Sequence, residues 1–150
     1  MERYCGDEEA TSKAMQGGWF RTGDIGVLDD EGFLTIVDRI KDVINRSGEK
    51  IAAVEVESCL MQHDALDEAA VFSMPHEVTG EQVVAVVVGK PGADVSEAEL
   101  RQFVGQRLAA YKVPNLIVVR GQPLPRNPAG KMLKSNLRKL VEEWGTAVPG

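Results

Sequence analysis

The chain has 150 residues and a net charge of −6, with 43% hydrophobic residues, 27% charged residues and two cysteines. This size and balance are typical of one globular domain, or of one domain with an appendage. The negative charge argues against general nucleic-acid binding, and no apolar run is long enough to span a membrane. Two cysteines give neither a disulfide framework nor a metal-ligand spacing, so the expected location is a reducing cytoplasm.

Residues 1–37 are rich in Gly and Asp and show little helical periodicity. Residues 26–37 predict a β-hairpin, with its turn at Asp29–Gly32 and a returning strand at Phe33–Val37. Because two strands alone are only marginally stable in water, this hairpin is expected to complete a sheet that lies elsewhere.

From Asp38 onward the apolar pattern becomes dense and changes character several times. It first predicts a short β-ribbon around the polar loop 45–50, a helix over 54–61, and buried strands over 69–74 and 83–88 joined by 75–81. A helix capped by Ser96 and Glu99 and a strand over 115–119 follow. The last predicted element is a helix with the apolar stripe Leu133, Leu137, Leu140, Val141 and Trp144. The predicted fold class is therefore α+β, with a central sheet of about three strands flanked by helices, plus the ribbon.

Three short segments carry most of the functional information. Residues 18–24 read Gly-Trp-Phe-Arg-Thr-Gly-Asp, residues 38–51 read Asp-Arg-Ile-Lys-Asp-Val-Ile-Asn-Arg-Ser-Gly-Glu-Lys-Ile, and residues 125–131 read Pro-Arg-Asn-Pro-Ala-Gly-Lys. In this order and at these separations, they resemble the C-terminal part of the adenylate-forming enzymes. That superfamily contains the acyl-CoA synthetases, the adenylation domains of peptide synthetases and the luciferases.

The resemblance implies a division of the chain into two parts. Residues 1–37 are expected to be the incomplete tail of the large N-terminal AMP-binding domain, and residues 38–150 to be the small mobile C-terminal domain of the superfamily. The segments around 38–51 and 124–131 most resemble bacterial acyl-CoA synthetases that act on fatty or other apolar acids.

Three residues are expected to bind the nucleotide. An ionised carboxylate accepts two hydrogen bonds at once, which suits it to paired ribose hydroxyls, and the resemblance assigns Asp24 to the AMP ribose. Arg39 offers a planar fork of donors, and in the family its position contacts the nucleotide. Lys50 matches a position that is often basic and close to the phosphates in one conformation.

Three further residues are expected to serve domain movement and CoA. Lys41 matches the hinge about which the small domain rotates, and a hinge needs only a few residues that absorb backbone rotation. The resemblance assigns Ser47 and Gly48 to CoA binding, with the glycine lining the tunnel for the pantetheine arm. Read alone, the loop is an ordinary glycine turn, and the charges at Arg39 and Lys41 are solvated strand-end residues.

Lys131 is the candidate catalytic residue. In the family, the lysine of this loop bridges the carboxylate substrate and the α-phosphate during adenylation. A compact ammonium lowers the repulsion when two anionic groups meet. Read without the other two segments, Lys131 is a surface lysine that precedes a helix.

The implied reaction has two halves, formation of an acyl-adenylate from ATP and transfer of the acyl group to CoA. ATP, CoA and a carboxylic acid are the expected ligands, together with Mg²⁺ whose ligands are not expected in this chain. The chain alone is expected to be inactive without the missing N-terminal domain. Two alternatives stay open: a non-catalytic interaction module, and an adenylating enzyme of the luciferase or peptide-synthetase type. Asp42-Val43-Ile44 departs from the usual peptide-synthetase pattern.

Overall fold

The computed structural model describes residues 5–145, apart from the side chains of 37, 38, 144 and 145. The first predicted domain therefore has its residues 1–4, and the second its residues 146–150, outside the described residues. The Trp144 side chain, which was predicted to pack in the core, also lies outside them. The chain forms two compact units, 1–41 and 42–150, with the boundary between Lys41 and Asp42.

The first unit begins with a helix that the sequence pattern did not predict. Helix α1, Glu8–Ala14, begins at Asp7, whose side chain accepts a hydrogen bond from the Ala10 N–H at 2.8 Å. The helix is short and has no buried residue, so it carries no apolar stripe. Its signal is instead the capping aspartate followed by two acidic residues in the first turn.

The remainder of the first unit consists of two antiparallel pairs of strands. Strands β1, Met15–Gln16, and β2, Trp19–Phe20, form the first pair, and β3, Asp24–Leu28, and β4, Leu34–Arg39, form the second. The second pair is the predicted hairpin. The Asp29 carboxylate holds its turn by accepting the N–H groups of Glu31 and Phe33.

Large apolar side chains of the first unit are exposed. None of its described side chains is buried, and the Trp19 side chain is 81% exposed. The exposed apolar residues of the first unit are Trp19, Phe20, Val27, Leu28, Phe33, Leu34, Ile36 and Ile40. Apolar side chains exposed in this number are unusual for a self-sufficient domain.

The second unit contains a five-stranded sheet and three helices. Its elements are β5 Val43–Arg46, β6 Glu49–Ala52, α2 Ala53–Leu60, β7 Leu66–His76, β8 Gly80–Gly89, α3 Glu97–Gly105, β9 Leu116–Arg120 and α4 Lys134–Gly145. Strand β8 pairs antiparallel with β7 and parallel with β9. The β5–β6 ribbon joins the sheet through a single bridge between Arg46 and Gly80. The predicted α+β fold, with three central strands plus a ribbon, is confirmed.

The sheet separates two apolar clusters, which makes the second unit a three-layer structure. Val83, Ala85 and Val87 point into the cluster that contains residues of α2 and α3. Val84 and Val86 point into the other cluster, which contains Leu137 and Val141 of α4 and also Leu124. Because β8 is covered on both faces, it reads as a continuous apolar run rather than as an alternating one.

Strand β7 lies at an edge of the sheet, and side chains contact its outer backbone groups. The Val71 N–H donates to Glu57 Oε1 at 2.8 Å, and the Arg138 Nε donates to the Ser73 carbonyl at 3.1 Å. Residues 75–81 were predicted to connect two strands, but Pro75 and His76 lie within β7 and Gly80 begins β8. That prediction is corrected, because an edge strand tolerates a proline that cannot donate.

Candidate functional site

The candidate residues of the three segments are divided between the two units. Asp24, Arg39 and Lys41 lie in the first unit, whereas Ser47, Gly48, Lys50 and Lys131 lie in the second.

In the first unit, the end of the β3–β4 hairpin lines an open pocket of about 810 Å³. Its walls are residues 20–24 and 39–41. The hairpin register places Asp24 opposite Arg39, and the Ile40 N–H donates to the Gly23 carbonyl at 2.8 Å. The first segment and the start of the second are therefore brought to one pocket by strand pairing.

Asp24 and Arg39 form an ion pair in this pocket. The Arg39 Nε lies 3.2 Å from Asp24 Oδ1, and the Asp24 side chain is 24% exposed. The Thr22 hydroxyl accepts the Asp24 N–H at 3.1 Å, which fixes the backbone before the carboxylate. One carboxylate has about four acceptor positions, so the ion pair leaves capacity for a ligand hydroxyl. The arrangement combines an acceptor and a cation at one wall of the pocket.

Lys41 lies in a single 3₁₀ turn, Ile40–Asp42, between β4 and β5. The boundary between the two compact units directly follows it. A 3₁₀ turn is a common connector with weaker hydrogen-bond geometry than an α-helix. The local structure is therefore compatible with a hinge, which stays a prediction.

Ser47 and Gly48 are the two central residues of the β5–β6 turn. Both have positive φ, 52° at Ser47 and 91° at Gly48, as in a type I′ hairpin turn. A positive φ is uncommon for a serine. Lys50 lies on β6, opposite Asn45, with its side chain exposed.

The neighbouring β7–β8 hairpin holds this turn. The Asn45 N–H donates to Glu81 Oε2 at 2.6 Å, and the Ser47 N–H donates to the Thr79 carbonyl at 2.9 Å. The Arg46 guanidinium donates to the carbonyls of Tyr111 and Val113 at 2.8 and 3.2 Å. The Ser47–Gly48 turn is thus a braced structure at the β7–β8 turn.

Lys131 lies at the end of a compact loop that precedes α4. Asn127 holds the lysine backbone on both sides, since its N–H donates to the Lys131 carbonyl at 2.9 Å and its Oδ1 accepts the Lys131 N–H at 2.8 Å. Gly130 has a φ of 79°, and its N–H donates to the Asn127 carbonyl at 2.8 Å. The Lys131 side chain is exposed.

An ion pair with β7 anchors this loop to the sheet. Arg126 lies 2.7 Å from Glu68, near the start of β7. The Ser47–Gly48 turn contacts the opposite end of the same strand pair, around Thr79 and Gly80. About eight residues of extended strand, roughly 26 Å, separate the two ends.

The sequence pattern missed the residues that hold the two loops. Glu68 and Glu81 look like ordinary strand charges, and their partners are 58 and 36 residues away. At Glu68 the sequence offers only a weak signal, which is an acidic residue directly before the predicted apolar strand 69–74. The basic residues around Lys131 are also engaged: Lys134 pairs with Glu57 at 2.7 Å, and Arg138 binds Ser73.

Comparison with known proteins identifies the family. Residues 55–131, just over half of the chain, match the family described as AMP-binding enzyme C-terminal domain. The chain belongs to this family. The matched residues include most of α2, the three central strands, α3 and the loop that ends in Lys131.

Proteins similar to this chain include two CoA ligases and the ATP-bound protein MatB. The long-chain-fatty-acid–CoA ligase FadD13 of Mycobacterium tuberculosis is 42% identical, over 99% of this chain and 29% of that protein. The 2-succinylbenzoate–CoA ligase of Geobacillus kaustophilus is 46% identical, over 92% of this chain and 28% of that protein. The structure of ATP-bound MatB from Rhodopseudomonas palustris has a TM-score of 0.88 and 33% identity, with 94% of this chain and 28% of that chain covered. The chain spans less than a third of the length of these relatives.

Proposed function

We propose that this chain is the C-terminal portion of an ATP-dependent acyl-CoA synthetase. The enzyme activates a fatty or other apolar carboxylic acid as acyl-adenylate and transfers the acyl group to CoA. Membership of the AMP-binding enzyme C-terminal domain family supports the class, and two relatives named as CoA ligases support the acceptor. The proposed fatty or other apolar acid rests on the resemblance of residues 38–51 and 124–131 to bacterial acyl-CoA synthetases, and on the relative named as a long-chain-fatty-acid–CoA ligase.

The observation that carries the proposal is the placement of two braced loops at opposite ends of one strand pair. The Lys131 loop is tied to the start of β7, and the Ser47–Gly48 turn to the β7–β8 turn. A rigid body with different functional groups at its two ends can serve two successive reactions by turning. We assign the turning point to Lys41 and residues 1–37 to the tail of a large N-terminal domain, a boundary four residues before the division between the two compact units. The exposed apolar residues of the first unit support such a domain as the partner that covers them.

In the first half-reaction, a carboxylate oxygen attacks the α-phosphorus of ATP and pyrophosphate leaves. Both reactants are anionic, so the attack brings like charges together. The Lys131 ammonium lies between carboxylate and phosphate and lowers that repulsion. Asp24 binds the ribose hydroxyls, while Arg39 and Lys50 contact the nucleotide.

In the second half-reaction, the CoA thiol attacks the acyl carbon and AMP leaves with its phosphate. Ser47 and Gly48 line the passage of the pantetheine arm, where the absence of a Cβ at Gly48 permits close approach. An added Cβ at Gly48 would meet no heavy atom within 4 Å, so the space beside it is open.

Magnesium is expected with ATP, where a divalent cation neutralises phosphate charge. Within residues 5–145, no group of three or more His, Cys, Asp or Glu side chains is arranged to hold a metal ion. No step is assigned through the ion.

The cytoplasm is the proposed location. The two cysteines, exposed Cys5 and buried Cys59, are both thiols, which fits a reducing compartment. No described helix is long and apolar enough to cross a membrane.

The test of the proposed function is a pair of half-reaction assays on the full-length enzyme. Acyl-adenylate formation is measured as acid-dependent pyrophosphate release, with palmitate and 2-succinylbenzoate among the acids. Thioester formation is measured from preformed acyl-adenylate and CoA. Lys131→Ala is expected to slow the first rate by about 100-fold or more, as for other removed charge-stabilising donors, and to leave the second nearly unchanged.

The matched control is Lys139→Ala, which removes another exposed lysine, on α4. It is expected to change neither rate. Equal losses in both half-reactions of Lys131→Ala would contradict the role of Lys131. No acid-dependent pyrophosphate release from the full-length protein would favour the non-catalytic interaction module. The 150-residue chain alone is expected to show no turnover, and turnover by it would contradict the need for a large domain.

A further inference from the structure

We propose that Glu68 is a positioning residue for Lys131 and acts through Arg126. This inference rests on the proposed function of Lys131 in adenylation. It adds a residue that lies 63 positions before the lysine in the chain.

A bulge at the start of β7 directs Glu68 toward the Lys131 loop. The pairing of β7 with β8 shifts between Leu66 and Glu68. Leu66, Ala69 and Val71 belong to one apolar cluster, which strict alternation along a strand would not allow for residues 66 and 69. The bulge moves Glu68 to the same face as Ala70 and Phe72, which pack in the cluster with Leu124.

The Glu68 carboxylate is largely buried, and both of its oxygens contact the segment that precedes Lys131. The side chain is 15% exposed. Its Oε1 accepts the Leu124 N–H at 3.4 Å, and its Oε2 accepts Arg126 Nη2 at 2.7 Å. A carboxylate that is shielded from solvent and paired with a guanidinium accepts a directional, charge-assisted hydrogen bond from it.

Arg126 extends this contact to the peptide bond of Lys131. Its Nη1 donates to the Gly130 carbonyl at 3.1 Å, while its Nη2 binds Glu68. The Gly130 carbonyl belongs to the peptide group whose N–H is that of Lys131, and that N–H is bound by Asn127. A continuous series of contacts therefore runs from β7 through Glu68 and Arg126 to the Lys131 backbone.

Placement of the backbone matters because the Lys131 ammonium must reach two reacting groups. The four-carbon side chain is flexible, so its reach depends on where the Cα lies. A misplacement of about 1 Å can cost up to about 10²-fold in rate. Glu68 does not itself touch the reactants, and its effect is transmitted only through Arg126 and the loop.

The experiment uses the full-length enzyme and the two half-reaction assays. Glu68→Gln keeps the size of the side chain and an acceptor for the Leu124 N–H, but removes the charge that holds Arg126. We expect acyl-adenylate formation to slow by about tenfold and thioester formation from preformed acyl-adenylate to stay unchanged. Glu97→Gln is the matched control, because it removes a Glu–Arg pair with Arg101 on α3. It is expected to change neither rate.

Two further variants separate positioning from a merely structural role. Arg126→Lys retains a cation for Glu68, but its single nitrogen replaces the planar fork whose two nitrogens bind Glu68 and the Gly130 carbonyl separately. It should therefore retain thermal stability and still lose adenylation rate. In a Lys131→Ala background, Glu68→Gln should cause no additional loss of adenylation, because the group through which it acts is absent. An additional tenfold loss in that background would overturn the positioning role.

The outcomes also distinguish this inference from the proposed function. A full adenylation rate in Glu68→Gln, with a slow Lys131→Ala enzyme, would overturn the role of Glu68 alone. A full rate in Lys131→Ala would overturn the assignment of Lys131 and the role of Glu68 with it. Equal slowing of both half-reactions in Glu68→Gln would also contradict a role directed at Lys131.

Discussion

The Ser47–Gly48 turn shows how single backbone conformations set the shape of a candidate CoA-binding loop. Both residues have positive φ, and hydrogen bonds from flanking residues hold the turn against the β7–β8 hairpin. A left-handed conformation costs a residue with a Cβ roughly 1–2 kcal/mol, whereas glycine adopts it readily. Gly48 therefore stabilises the turn through its backbone, in addition to any ligand contact.

Gly48→Ala is expected to lower the free energy of unfolding of the chain by about 1 kcal/mol. The cause is backbone strain alone, because an added Cβ meets no atom within 4 Å. Urea denaturation measures the change. Gly121→Ala is the control, since Gly121 also has open space for a Cβ but lacks the positive φ. A loss of equal size in both variants would show that strain at Gly48 is not the cause.

The sequence predicted several site residues but not their partners. Asp24 and Arg39 were each assigned to the nucleotide by resemblance, yet their ion pair depends on the β3–β4 register and on a bulge between Ile25 and Gly26. Glu68 and Glu81 meet their partners only once the sheet is assembled. Long-range contacts of this kind leave no local pattern, because they depend on register rather than on neighbouring residues.

At the scale of elements, an ion pair fastens helix α2 to the 3₁₀ helix Ala110–Lys112. The Lys112 ammonium lies 2.6 and 2.7 Å from the two oxygens of Glu55, and the lysine side chain is 19% exposed. The hydrogen bond with Glu55 raises the pKa of Lys112 above its ordinary value. The same 3₁₀ helix supplies the Tyr111 carbonyl to Arg46, so this fastening also supports the Ser47–Gly48 turn.

The raised pKa predicts a loss of stability at alkaline pH. A folded-state pKa above the unfolded value of 10.5 means that the folded state holds the proton more tightly. The stabilisation is complete below that value and is lost as pH rises through the folded-state pKa. Glu55→Gln should therefore be less stable than the parent at about pH 8, with the difference shrinking toward about pH 11.5.

Unfolding in urea at both pH values measures this difference. The comparison with the parent chain isolates the Glu55 contribution. A difference that stays constant over the range would show that Lys112 does not titrate with a raised pKa in the folded chain.

The strength of the sequence signal differed among elements for physical reasons. Strands β7 and β8 were found because they are β-branched and buried, and α3 because Ser96 caps it by accepting the Glu99 N–H. Helix α1 was missed because it buries nothing, so its only signals were a cap and first-turn acids. The extension of β7 through Pro75 was missed because proline marks a strand end unless the strand lies at an edge.

The described residues divide into a unit with an apolar core and a unit in which no described side chain is buried. Residues 42–150 contain both apolar clusters, whereas the described side chains of the first unit include none that is buried. Burial of apolar surface is the main source of folding free energy. The stability of the chain should therefore reside almost entirely in the second unit.

Residues 42–150 alone are expected to unfold cooperatively, with a thermal midpoint within about 3 °C of that of the full chain. Far-UV circular dichroism of the two proteins, followed against temperature, provides the measurement. Leu137→Ala in the shortened chain serves as a control for a native core, since it should lower the midpoint clearly. A shortened chain that unfolds without cooperativity would show that the first unit supplies essential contacts.

The outer edge of β7 has a consequence for how copies of the chain meet in solution. Glu57 and Arg138 bind backbone groups of Val71 and Ser73, and Pro75 has no N–H to offer. A second molecule therefore cannot easily extend the sheet there. In the first unit, by contrast, β3 and β4 form a two-stranded sheet whose apolar side chains face solvent. Aggregation of the isolated chain at high concentration should begin at residues 1–41, and their removal should raise its solubility.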